Sequence, residues 1–167
     1  MDLIIVRHAI AFGADPQRWP DDGARPLSPR GVSRARRAAR GLAHLIDPPA
    51  QVLASPLARA LQTAAILHAG AGWPCARVCR QLLPEVPPDT LLAALRAERS
   101  RRIALIGHQP QLGRFLAYCL AGAPPPAALQ LKKSGVALLT FTGGVRAGGA
   151  TLCALLPPGV LRATGRA

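Results

Sequence analysis

Four consecutive apolar residues, Leu3-Ile4-Ile5-Val6, run into Arg7 and His8, and the pattern returns where Ile103-Ala104-Leu105-Ile106 runs into Gly107 and His108. Runs this short, aliphatic and without polar alternation fit strands covered on both faces rather than independent helices. Such strands need helices on each side of their sheet. The predicted fold class is therefore α/β, three layers, with a mostly parallel central sheet. Polar residues closing a strand then fall at the C-terminal edge of the sheet, where open α/β folds place their chemistry.

The intervening chain alternates accordingly. Ala9 to Arg25 lacks periodicity and reads as a loop over the first strand end, with Asp21 and Asp22 in solvated positions and Trp19 as its large aromatic. Ser28-Pro29 predicts a helix start, Ser28 capping and Pro29 in the first turn. That helix runs to about Ile46 and buries Val32, Ala35, Ala39, Leu42 and Ile46. Arg30, Arg34 and Arg37 form a separate row, read as a solvated basic face.

Gln51-Val52-Leu53-Ala54 is a second strand, and Ser55-Pro56 repeats the Ser-Pro helix start. The helix from Leu57 to about Ala69 carries Arg59 in its first turn and Thr63, a packing or hydrogen-bonding residue, one turn later. A weak third strand over 76–79 and a Pro-rich loop holding Glu85 follow. Then come a helix near Asp89 or Thr90, the strand ending at His108, and a helix from Pro110 to about Leu120. Gly122 to Pro126 breaks the chain. Two strands, Gly135 to Phe141 and Ala150 to Leu156, close it as a hairpin.

At 167 residues and 50% hydrophobic, the chain suits one domain, 1–167, with a full core. It has no leader pattern and no stretch long and apolar enough to span a bilayer, so a cytoplasmic monomer is expected. Cys75, Cys79, Cys119 and Cys153 show no zinc spacing and are expected to be reduced, mostly buried thiols. His44 and His68 lie near helix ends and receive no role.

The net charge of +13 implies an anionic partner. Compositional bias offers another source, since nearly all the basic residues are arginine. Aromatic residues amount to only 4%, too few for base-stacking platforms, which argues against nucleic acid.

Arg7 and His8, Arg59 and His108 all fall at one sheet edge in this topology. Two arginines and two histidines around one point suit a phosphoryl group: guanidinium forks match its oxygens, and imidazole attacks or donates according to protonation. Arg25 is an added candidate anion contact. Ser134 stands just before the hairpin, and nothing in the sequence brings it to the same edge.

These blocks resemble the histidine phosphatase superfamily, whose Arg-His-Gly signature stands here as Arg7-His8-Ala9. Further matches are Pro26 to Gly31, the Ser55 to Thr63 block and Gly107-His108. The short chain, Leu82-Leu83-Pro84-Glu85 and Gly107-His108-Gln109-Pro110 look most like the SixA-type phosphohistidine phosphatase branch. The resemblance implies a phosphoglycerate mutase-like fold and a cofactor-free, metal-independent phosphatase. His8 would be its nucleophile, held unprotonated by nearby arginine charge. Arg7, Arg59 and His108 would grip the phosphoryl oxygens, with Glu85 as candidate general acid.

The expected substrate is a phosphorylated molecule, first of all a histidine-phosphorylated protein domain, because imidazole leaves with little help from an acid. A small phosphorylated metabolite is the alternative. A basic, non-catalytic polyanion-binding module is the reading from a different class.

Overall fold

The computed structural model describes residues 1–122 and 129–165. One six-stranded mixed sheet runs through it, built from β1 (Asp2–Arg7), β2 (Gln51–Ala54), β3 (Arg77–Val78), β4 (Arg102–Gly107), β5 (Val136–Phe141) and β6 (Ala150–Leu156). Its order is β3-β2-β4-β1-β5-β6, with β3, β2, β4 and β1 parallel and β5 antiparallel to both of its neighbours. The α/β reading holds.

Helices α1 (Pro29–Leu45), α2 (Ala58–Ala71), α3 (Pro88–Arg96), α4 (Gln111–Ala121) and α5 (Pro158–Thr164) cover the sheet. Alternation along β1 sorts its side chains between the layers. Leu3 and Ile5 pack with Leu91, Leu92 and Leu95 of α3 and Leu112, Phe115 and Leu116 of α4. Ile4 and Val6 pack with Ala38, Ala39 and Leu42 of α1, Ala60, Ala64 and Leu67 of α2, and Leu161 of α5. Both faces of β1 and β4 are thus closed to water, as the unbroken apolar runs require.

Ser28 caps α1 through a 3.1 Å bond from the Gly31 amide, with Pro29 at the first position. Within the expected stripe, Ala35, Ala39 and Leu42 are buried, while Val32 and Ile46 are only half-buried. The row of Arg30, Arg34 and Arg37 has no ion-pair partner among the described residues.

Several expectations need correction. α5 has no counterpart in the sequence reading; it starts at Pro158 and packs on α1 so closely that a Cβ on Gly41 would stand 1.8 Å from the Leu161 carbonyl oxygen. The third strand shrinks to two residues. Only half of the thiols are inside: Cys79 and Cys119 are buried, but Cys75 and Cys153 are exposed, all four being free. Burial pushes the Cys119 thiol up to about 12, which leaves it unreactive. Of the break expected at Gly122 to Pro126, only Gly122 lies among the described residues, closing α4 at φ +79. No described helix is long and apolar enough to cross a membrane.

Candidate active site

Strand register brings the two histidines together. Arg7 of β1 pairs with Gly107 of β4, so His8 and His108 leave adjacent strands at one level. Their ring centroids are 5.0 Å apart with planes tilted by 48°. The backbone of His8 is held from both sides. Its amide donates to the Gly107 carbonyl at 3.0 Å, and the Ser134 amide lies 3.1 Å from the Arg7 carbonyl and 3.3 Å from that of His8. Ser134 achieves this at φ +61, in the left-handed region that a non-glycine residue seldom adopts.

His8 Nδ1 lies 2.7 Å from the carbonyl oxygen of Ala9. A carbonyl can only accept, so Nδ1 carries the proton and Nε2 keeps a free lone pair. The ring is neutral: burial pushes its pKa down to about 4 against the raising effect of the Ala9 bond, and the charges of Arg59, Arg7 and Lys133 add to the depression. The sequence reading credited arginine charge with this effect. Desolvation comes first, because His8 is only 7% exposed.

Ala9 replaces the signature glycine without strain. It is buried, and Ser134 is the one non-glycine residue at positive φ among those described. Its amide donates to Thr63 Oγ1 at 3.0 Å, and that hydroxyl donates to the Arg59 carbonyl at 2.7 Å. The loop beyond is tied to α1: Ser28 donates from its amide to the Ile10 carbonyl at 3.0 Å, and Ala11 bridges Leu27.

Ser55 does not cap α2, as its Ser-Pro sequence predicts. Leu57 takes the cap position without a side-chain bond, and the Ser55 hydroxyl lies 2.8 Å from His108 Nε2. The reason is register. Ala54 pairs with Ile106, so the residue after β2 stands beside the end of β4. His108 is 2% exposed, and burial, followed by His8 and Arg59, pushes its pKa down to about 3. Its Nδ1 is buried with no partner among the described residues.

Arg7 donates from Nη1 to the Leu131 carbonyl at 2.8 Å. Arg59, 5% exposed, points both terminal nitrogens at Asp22: Nη1 donates to its carbonyl at 2.8 Å, and Nη2 stands 3.2 Å from its carboxylate. Arg25 joins from the other side, with Nε 2.7 Å from the same carboxylate and Nη1 donating to the Phe12 carbonyl at 2.6 Å. The Arg25 bond is the main cause holding the Asp22 carboxyl below its ordinary range, with Arg59 adding to it.

Glu85 is exposed in a turn before α3 and makes no side-chain hydrogen bond or ion pair among the described residues. The structure therefore gathers Arg7, His8, Arg59 and His108, links Arg25 to them through Asp22, and leaves Glu85 unattached. Sequence reasoning missed the roles of Ser55, Asp22 and the Leu131 carbonyl, and only the structure places Ser134 at the edge. Ser55 alone carried a usable signal, since it ends a strand as both histidines do.

A strand-end histidine pair flanked by two arginines on this α/β fold is the arrangement expected of the histidine phosphatase class. The chain belongs to the histidine phosphatase superfamily, in its SixA-type branch; residues 3–83 match the family model for branch 1. A protein of a Picosynechococcus species, itself uncharacterized, is 36% identical over 91% of this chain and 88% of its own. The structure of the protein histidine phosphatase SixA complexed with tungstate superimposes with a TM-score of 0.81 at 27% identity, covering 96% of this chain and 99% of that one. An α-ribazole phosphatase from Shigella flexneri shares the fold, with a TM-score of 0.72 at 18% identity over 95% of this chain and 97% of that one.

Proposed function

We propose that this protein hydrolyses phosphohistidine on a protein, through a covalent intermediate on His8. The carrying observation is the bond from His8 Nδ1 to the Ala9 carbonyl, which leaves a neutral ring with its Nε2 lone pair free. Nε2 attacks phosphorus, the P–N bond to the substrate imidazole breaks, and that imidazole takes up a proton as it leaves. Water then attacks the phosphohistidine, releasing inorganic phosphate and restoring neutral His8. Arg7 and Arg59 supply the positive charge that the phosphoryl oxygens need, so turnover requires no metal.

The leaving group follows from the carboxylates. Asp22 is ionised and tied to arginines, and Glu85 is exposed without a partner among the described residues. An alkoxide leaving group depends on a placed acid, whereas imidazole, with a pKa near neutrality, does not. The experiment compares a histidine-phosphorylated protein, an aryl phosphate and an alkyl phosphate in the presence of a chelator, using the parent, His8→Ala and Glu85→Gln. Expected are a preference for phosphohistidine, no turnover by a folded His8→Ala variant, and phosphohistidine turnover unaffected by Glu85→Gln. Equal losses on all three substrates would overturn the leaving-group argument. A preferred small metabolite would assign the protein to metabolism, and a parent with polyanion binding but no turnover would make it a binding module.

A further inference from the structure

Arg59 is held by one residue. The Asp22 carbonyl takes Nη1 at 2.8 Å and the carboxylate faces Nη2 at 3.2 Å. The same carboxylate takes Arg25 Nε at 2.7 Å. A short turn fixes this pose: Asp21 caps the Gly23 amide at 2.7 Å, and the Ala24 and Arg25 amides donate back to the carbonyls of Asp21 and Asp22. Carboxylate and phosphoryl oxygens present the same kind of acceptor to a guanidinium fork.

We infer that Asp22 is a specificity-determining residue: its carboxylate stands on Arg59 in the manner of a phosphoryl group, and an incoming anion has to displace it. Charge decides the exchange. Replacing the Asp22 carboxylate by another single negative charge leaves the attraction to Arg59 and Arg25 little changed. A doubly charged phosphoryl group brings a second charge, and Arg7, which has no acidic partner among the described residues, is there to take it. The displacement is mechanically open, since the Asp22 side chain is 57% exposed while that of Arg59 is 6% exposed. The carboxylate swings out; the arginine stays.

The inference rests on the proposed function only in taking Arg59 as a phosphoryl ligand, and it holds for any leaving group. The test measures inorganic phosphate and formate as competitive inhibitors of aryl phosphate turnover at pH 8, with calorimetric phosphate binding alongside, for the parent, Asp22→Asn and Asp22→Ala. Phosphate is expected to bind about threefold to tenfold more tightly in both variants, the range for a partly exposed, charge-assisted pair. Formate, silent on the parent, is expected to become an inhibitor. Unchanged or weaker phosphate binding in variants that melt as the parent does would overturn the inference, weaker binding marking Asp22 as a residue that only orients Arg59. Formate remaining silent in the variants would overturn the discrimination by charge. Tighter phosphate binding in an enzyme that ignores phosphohistidine would sink the proposed substrate and leave this inference standing.

Discussion

The Thr63 hydroxyl joins Ala9 to Arg59, accepting from the Ala9 amide at 3.0 Å and donating to the Arg59 carbonyl at 2.7 Å. One side chain on α2 thereby sets the distance between the backbone that orients His8 and the helix turn that carries Arg59. Thr63→Val keeps the shape and removes the hydroxyl, leaving the buried Ala9 amide unpaired. A loss of about 1–3 kcal/mol in unfolding free energy follows from burying an unsatisfied donor. Denaturant titration checks it, and Thr63→Ser is expected to recover most of the loss.

Ser55 orients the second histidine. The acceptor within reach of its hydroxyl proton is His108 Nε2, so the ring proton is placed on Nδ1. Ser55→Ala frees that choice, and kcat/KM on an aryl phosphate is expected to fall about tenfold, the equivalent of one neutral hydrogen bond. The fold should be retained, and a His108 ring that changes tautomer in nitrogen NMR would identify the cause. An unchanged spectrum with lost activity would refute it.

Acid titration should separate both histidines from ordinary ones. With pKa values pushed to about 4 and about 3, His8 and His108 stay neutral in the fold where an unfolded histidine, near 6.5, gains a proton. Between those limits the unfolded chain binds more protons, so their contribution to stability is full above pH 6.5 and declines as pH falls toward 4 and then 3. Melting temperature should drop across that window, and less steeply in His8→Gln. Imidazole proton shifts, assigned with that variant, should show His8 titrating well below pH 6.

Gly41→Ala tests the α1–α5 contact. Its Cβ would meet the Leu161 carbonyl oxygen at 1.8 Å, a backbone atom that cannot turn aside. The helices must separate, at a cost of about 1–3 kcal/mol, as for overpacking elsewhere. A lower melting temperature with faster proteolysis of the C-terminal helix is the expected result.

Much of the site is legible in the order of residues along the chain. The runs Leu3 to Val6 and Ile103 to Ile106 read as doubly covered strands because neither alternates, and the residues closing them have to sit at one edge. Ser28 is legible as a cap because its Pro-first helix start is a local signal. Ser55 carries the same local signal and misleads, since the end of β4 stands beside it and supplies His108 as a better partner. α5 escapes notice because it is only seven residues long, begins at the second of two consecutive prolines and buries only Leu161.

Residue type and chain order are enough to say that two strands deliver histidines, that arginines accompany them, and that the chemistry is that of a phosphoryl group. They cannot say which nitrogen of His8 is free, what holds Arg59 or which carboxylate stands at the site. Those are tertiary properties, set by register and burial: Arg7 opposite Gly107, Ala54 opposite Ile106, and a loop turned so that Asp22 meets two arginines. The depressed pKa of His8, which keeps the ring neutral as the proposed nucleophile must be, comes first from the water that the folded chain excludes and only then from the arginines beside it.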